Sequence, residues 1–263
     1  MTDASHPVFA RLRQLATAGP VVVAHRGDSR NHPENTRAAF TAAAALGVAM
    51  QEFDVRATRD GALVCIHDAG VDRTTDAARC WGPGALVAER TLTELRALDA
   101  GSWRGPAHAG ERVPTLAAAL TVMLPGCIPM IEHKAGEAAA YIAELDRCGA
   151  RRTAIVQSFD WRFVAEVHRL APDIAVAALG PNTEFSRPDG AARTAARHAG
   201  AGMLHWSHRE LRRADVVAAH QEGLLVCTYT TDDDAGWLGG AAMAIDAICT
   251  NDPSHMLALR QGN

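Results

Sequence analysis

The stretch Val21-Val22-Val23-Ala24-His25-Arg26-Gly27 runs through four apolar residues and then changes at once to a histidine, an arginine and a glycine. A strand with one wet face alternates apolar and polar residues. An unbroken apolar run of this length instead predicts a strand covered on both faces, as in a parallel sheet. Comparable runs recur at 49–55, 63–67, 127–132, 153–157, 174–179, 202–206, 224–228 and 244–250. Longer helical patterns lie between them: one opening at Pro33-Glu34 and stopping at Gly47, then 116–123, 136–147, 161–170, 190–198, 209–222, 232–239 and 253–260. Strands alternating with helices make an α/β fold. With 49–55 and 63–67 counted as one strand and its extension, or as a hairpin, about eight units result, which predicts a closed (β/α)8 TIM barrel. A length of 263 residues suits one such domain over 1–263. Residues 68–113 break the rhythm with Gly82-Pro83-Gly84, Gly101, Gly105, Gly110 and a single short helical pattern at 93–98, and read as an insertion on the barrel top.

Composition narrows the function. A net charge of −4 with no dominant basic face excludes a general polyanion binder, so no nucleic-acid partner is expected. No apolar run approaches the roughly 20 residues that span a bilayer, and the first fifteen residues lack the apolar core of a signal peptide. The six cysteines form no CxxC pair, and four of them (Cys65, Cys127, Cys227 and Cys249) sit in or beside apolar runs, which reads as buried thiols. The expected location is the cytoplasm.

Chemistry concentrates where strands end, the place a barrel reserves for it. His25 ends the first strand, and Arg26 beside it offers the planar fork of donors that matches a phosphate. Gly27 lets the chain turn sharply beside a ligand. Glu52 and Asp54 flank Phe53 on the next strand, so both carboxylates face one side. Two like charges so close need a shared proton or a cation, and the apolar surroundings favour a cation over a solvated acidic loop. Oxygen-only ligation suits Mg²⁺ or Ca²⁺. Glu132 and Lys134 share a face at the end of 127–132, where Glu132 can complete the metal site and Lys134 can hold a phosphate oxygen; a plain ion pair is the alternative. His67 ends 63–67, and two histidines at one barrel mouth can serve as general base and general acid. The sequence does not say which is which.

Together these residues resemble the glycerophosphodiester phosphodiesterase family. The resemblance rests on His25-Arg26-Gly27 followed by Pro33-Glu34-Asn35-Thr36, on Glu52-Phe53-Asp54, on Thr58-Arg59-Asp60-Gly61 through His67-Asp68 to Arg73-Thr74-Thr75, and on Glu132-His133-Lys134. The stretches Gln157-Ser158-Phe159 and Cys249-Thr250-Asn251-Asp252-Pro253 also fit. It implies a barrel with a small insertion after the second barrel strand, a small-molecule glycerophosphodiester as substrate, and a divalent cation as cofactor. It makes His25 and His67 the acid–base pair, Glu52, Asp54 and Glu132 the metal ligands, Arg26 and Lys134 the phosphate contacts, and Glu34 and Asn35 supporting or substrate-side residues. Two departures stand out. His133 replaces a usual aliphatic residue and should face the barrel wall. Tyr229 stands at or near the place of a mouth tryptophan and so bears on substrate preference. Rival readings are a barrel acting on a lipid phosphodiester, with Trp81, Leu86, Val87 and Trp103 as an apolar rim, and a non-catalytic phosphate-ligand binder.

Overall fold

In the computed structural model, which describes residues 6–124 and 126–262, eight parallel strands close on themselves. Residues 1–5, 125 and 263 of the span read as one unit lie outside the described residues. The strands are β1 (Val21–His25), β2 (Met50–Ala57), β4 (Ile128–His133), β5 (Ile155–Ser158), β6 (Ala175–Gly180), β7 (Met203–Ser207), β8 (Leu225–Tyr229) and β9 (Ala247–Thr250). β1 pairs with β9 on one side and β2 on the other, which shuts the barrel. The ninth strand, β3 (Leu63–Cys65), runs antiparallel to the end of β2, with Val55 opposite Cys65 and Ala57 opposite Leu63. The fold is therefore the expected (β/α)8 barrel, and the hairpin is the form that the paired runs 49–55 and 63–67 take.

Side chains alternate between two cores. Val21, Val23, Met50, Met130, Ile155, Met203 and Cys227 fill the barrel, while Val22, Ala24, Phe53, Val156 and Leu204 face outward. The outward set meets the helices α2 (Arg37–Ala45), α5 (Leu116–Met123), α6 (Ala138–Arg147), α7 (Trp161–Leu170), α8 (Gly190–His198), α9 (Arg213–Gln221), α10 (Asp234–Ala242) and α11 (Pro253–Gly262). Phe40 of α2 packs against Phe53 at 5.5 Å between centroids.

Two helices depart from the sequence reading. α2 begins at Arg37, capped by Thr36, and not at Pro33-Glu34. Asn35 occupies the left-handed region (φ 56) and takes no helical role, because its side chain is committed to β2. The first residues carry an unexpected helix, α1 (Pro7–Ala16), with Val8, Phe9 and Leu12 buried in the barrel interior. His6 caps it through Nδ1, which accepts from Val8 N at 3.2 Å. Histidine is a poor cap signal in a sequence, so the helix start was not visible. Phe9 reaches the start of β7, where a Cβ on Gly202 would stand 2.4 Å from the ring. α1 thus plugs the barrel floor. Phe9→Ala is expected to cost about 3–5 kcal/mol in denaturant unfolding; a loss below roughly 1 kcal/mol would show that the plug carries little of the fold.

Residues 68–113 build a satellite core of Val71, Ala77, Val87, Leu95, Leu98 and Val113 against Val64 and Ile66. Its helices are α3 (Ala77–Trp81) and α4 (Leu92–Ala97), the second held by a Thr91–Glu94 capping box. The irregular part is organised by Asp99, which accepts from the backbone N–H of Gly101, Ser102 and Gly110 at 2.7–2.8 Å. Among the rim candidates Val87 is buried, Trp81 lies under the Arg90 guanidinium, and Leu86 and Trp103 are exposed. No described helix is long and apolar enough to cross a membrane. All six cysteines are free thiols, and the four read as buried are buried.

Candidate active site

Parallel register assembles the site. His25 lies beside Glu52, Asp54 beside Glu132, and Glu132 beside Gln157. The inward parity that carries Val21 and Val23 into the barrel also carries His25 to its mouth. A cavity of about 240 Å³ opens there, lined by the polar groups His25, Arg26, Glu52, His67, Glu132 and Lys134. Phe159, Leu179, His205, Tyr229 and Thr230 complete its wall.

His25 is a partly buried ring with one nitrogen fixed. Asn251 donates its amide to Asp232 at 2.7 Å, which leaves Asn251 Oδ1 to accept from His25 Nδ1 at 2.7 Å. The other nitrogen, Nε2, therefore carries the lone pair and faces Glu52 at 3.7 Å. Burial, and then the Arg26 cation, push its pKa down to about 4, so the ring is neutral near pH 7. The chain after it turns through Arg26 (φ 59) and Gly27 (φ 80). The close approach that requires Gly27 is to α2 and not to a ligand: an added Cβ would sit 2.6 Å from the Ala39 carbonyl carbon.

His67 does not end a barrel strand. It lies two residues past β3, brought back along β2 because the hairpin is antiparallel. Ile66 N donates to Asp54 O at 3.1 Å, and Arg56 Nε to the His67 carbonyl at 2.8 Å. Nδ1 contacts Asp68 Oδ1 at 2.6 Å, which leaves Nε2 for the cavity.

Glu52, Asp54 and Glu132 offer ligand oxygens all within 4.8 Å of one another. Both Glu52 oxygens are buried without a hydrogen-bond donor. Asp54 Oδ1 is approached by Lys134 Nζ at 3.3 Å, and Lys134 also pairs with Glu132 Oε1. Burial and the neighbouring Asp54 charge push the Glu52 carboxyl well up, and push Glu132 to about 7. Burial opposes ionisation of Asp54 too, but Arg26 and Lys134 hold it below the usual carboxylate range. Three converging hard oxygens with unmatched lone pairs in a buried site fit a divalent cation.

Arg26 reaches Asp54 Oδ2 (Nε, 3.1 Å) and Glu34 Oε1 (Nη1, 2.8 Å). Glu34 and Asn35 stand one layer behind the cavity wall. Asn35 brackets Asp54, donating to Oδ2 at 2.9 Å and accepting from its backbone N–H at 3.2 Å. Tyr229 is on the wall, its hydroxyl donating to Gly180 O at 2.8 Å. His133 points outward as expected, stacked on Phe163 at 3.5 Å and bonded to Gly136 O at 3.0 Å.

His205 escaped the sequence reading. It is buried at the mouth, with Nδ1 2.9 Å from Gln157 Oε1 and its ring edge-on to Tyr229. Burial, then the nearby His25, lower its pKa to about 3. Its signal was available: Met203 points inward, so residue 205 must as well. Asn251 and Asp68, the partners that fix the two histidines, lie in the quoted motifs, but their anchoring roles are recognised only through these contacts.

Residues 25–255 match the glycerophosphoryl diester phosphodiesterase family. The chain is 35% identical over 242 residues to YhdW of Bacillus subtilis (strain 168), covering 90% of this chain and 96% of that one. It is 32% identical to the glycerophosphodiester phosphodiesterase of Caldanaerobacter subterraneus subsp. tengcongensis, covering 91% and 97%. The solved structure of an Oleispira antarctica phosphodiesterase in complex with the product sn-glycerol-3-phosphate superposes with a TM-score of 0.84 at 27% identity, over 93% of this chain and 97% of that one. With a family match from His25 to the last helix and relatives of nearly equal length, this chain belongs to the glycerophosphoryl diester phosphodiesterase family and is an enzyme of that kind.

Proposed function

We propose that the cavity hydrolyses a glycerophosphodiester to sn-glycerol 3-phosphate and an alcohol, with His25 and His67 moving the protons and Glu52, Asp54 and Glu132 holding Mg²⁺ or Ca²⁺. The observation that carries this reading is the convergence of two Nδ1-anchored imidazoles on one cavity beside three clustered carboxylates, of which Glu52 has both oxygens without a donor. The cavity, at about 240 Å³, suits a small polar substrate. The product held by the Oleispira phosphodiesterase supports the same product here. When bound, the cation supplies Lewis-acid stabilisation of a phosphate oxygen and a template for the substrate.

The chain's own groups divide the work. Arg26 and Lys134 lie beside the carboxylates and hold phosphate oxygens as negative charge grows on them. His25 is anchored by a neutral amide and keeps a free lone pair, so it removes the proton from the nucleophile. His67 is anchored by a carboxylate, which compensates a positive ring, so it carries the proton given to the leaving alkoxide. The nucleophile is water or the substrate's own glycerol 2-hydroxyl; in the second case a cyclic phosphate forms and water opens it. Either way one phosphorus–oxygen ester bond is exchanged for one to water oxygen, with a proton on each product. Glu34 and Asn35 support Arg26 and Asp54 from behind.

Tyr229 and Phe159 meet edge to face at 6.3 Å between centroids and give the cavity an aromatic wall, where the glycerol or head group would rest. Tyr229→Phe keeps the ring and loses only the bond to Gly180, so kcat/KM should stay within about threefold. Tyr229→Ala should raise KM about tenfold or more. Equal effects of the two would assign the role to the hydroxyl.

The exposed Leu86 and Trp103 keep a lipid phosphodiester as the second reading. Glycerol 3-phosphate release from soluble glycerophosphodiesters, set against lysophospholipid or phospholipid vesicles, tests the two. Turnover confined to vesicles would replace the first reading with the second. The free thiols agree with a cytoplasmic enzyme.

A further inference from the structure

One guanidinium outside the cavity ties its two halves together. Arg73 lies in the insertion, is half exposed and is not on the cavity wall. All three of its nitrogens are engaged. Nε donates to Asp68 Oδ2 at 2.5 Å, Nη2 to Asp68 Oδ1 at 3.2 Å and to Glu34 Oε1 at 2.8 Å, and Nη1 to Glu34 Oε2 at 2.8 Å. Each carboxylate it grips holds a site residue with the same oxygens. Asp68 Oδ1 anchors His67 Nδ1 at 2.6 Å, and Glu34 Oε1 anchors Arg26 Nη1 at 2.8 Å. Arg26 in turn contacts Asp54.

The chain His67–Asp68–Arg73–Glu34–Arg26–Asp54 therefore runs unbroken from an imidazole to the carboxylate cluster. Its ends come from different parts of the fold: Glu34 and Arg26 from the segment between β1 and α2, Asp68 and Arg73 from the insertion. Arg104, donating to the Arg30 carbonyl, and the His32–His108 ring contact also join the two segments, but Arg73 is what joins the two carboxylates. Two carboxylates brought together without it would repel and turn toward solvent. Exposed ion pairs usually add little stability, but here the fork sets geometry. A displacement of about 1 Å at a reacting group can cost up to about 10²-fold in rate.

We propose that Arg73 is a positioning residue for the phosphodiester reaction: by bridging Asp68 and Glu34 it holds the His67 imidazole and the Arg26 guanidinium at their working separation across the cavity. The insertion is then part of the catalytic apparatus as well as a cover. This rests on the reading that His67 and Arg26 act on substrate.

The test is a kinetic cycle on the full chain with Mg²⁺, using sn-glycero-3-phosphocholine as probe and comparing wild type, R73M, R73K, D68N and R73M/D68N. R73M is expected to lower kcat about 10- to 100-fold, with a smaller change in KM. R73K should fall nearly as far, because an ammonium keeps the charge and lacks the fork. The double variant should be no slower than the worse single one, since both break the same link. Circular dichroism and Tm check that each variant is folded; if R73M is not, R73K with D68N completes the cycle. Wild-type-like kcat in R73K, or additive losses in the cycle, would overturn the proposal. Absence of turnover in the wild type would instead overturn the functional reading beneath it.

Discussion

His67→Ala and His25→Ala are each expected to lower kcat by roughly 10²- to 10⁴-fold, the usual contribution of one acid–base group. The two rings line one cavity and come from different structural devices. His25 is placed by the inward parity of β1 and oriented by Asn251; His67 is placed by a hairpin and oriented by Asp68. Neither ring packs in the main hydrophobic cores, so both variants should remain folded, with Tm close to that of the wild type. The double variant should be only slightly slower than the worse single variant, because the groups act in one reaction. Steady-state release of glycerol 3-phosphate from a soluble diester gives all three rates. Near-normal turnover by either single variant would remove that histidine from the proton path.

The second large effect concerns the carboxylates and has two readouts. Glu132→Gln and Glu52→Gln should each weaken cation binding strongly, and with it turnover. Calorimetric titration with Mg²⁺ or Ca²⁺ reads the first loss directly. Stability gives an independent measure. In the cation-free protein burial and the Asp54 charge hold the Glu132 carboxyl at about 7, above its ordinary value near 4.5. At this one group the folded state therefore binds more protons than the unfolded state between those two pH values. This group's contribution to stability falls as pH rises through that window, whereas His25 and His205, held neutral with values of about 4 and 3, contribute in the opposite sense, so the readout is the difference between wild type and Glu132→Gln. That difference should fall by on the order of a few kcal/mol between about pH 4.5 and 7 in the cation-free protein, and saturating Mg²⁺ or Ca²⁺ should cancel the fall. A difference between chelated wild type and Glu132→Gln that does not change between about pH 4.5 and 7, or a wild-type Tm that does not respond to added cation, would contradict the metal-site reading.

Much of this molecule is legible in its sequence, and the limits have physical causes. The barrel was legible because its strands are covered on both faces, and an unbroken apolar run such as Val21-Val22-Val23-Ala24 finds that cover most readily inside a parallel sheet. Glu52, Asp54 and Glu132 were legible because parity on a strand fixes the side to which a residue points. The same rule would have found His205 had it been applied to Met203 and its neighbours. What escaped depends on contacts between distant segments. α1 lacks a standard cap and owes its place to Phe9, which fills the barrel floor. Thr36 and not Pro33 starts α2, because Asn35 is held by Asp54. Asn251 and Asp68 stood in quoted motifs, but their anchoring of the two histidines is seen only in the contacts. Arg73 was part of a recognised motif, but its double fork joins Glu34 to Asp68 across 34 residues of chain separation, and no local pattern encodes that.

The most direct test of the central claim is glycerol 3-phosphate release from a panel of soluble glycerophosphodiesters, measured before chelation, after it, and after Mg²⁺ or Ca²⁺ is returned. The expected result is turnover that disappears with chelator and recovers with the cation. Undiminished release from the fully chelated enzyme would contradict the reading of Glu52, Asp54 and Glu132 as the seat of a catalytic metal.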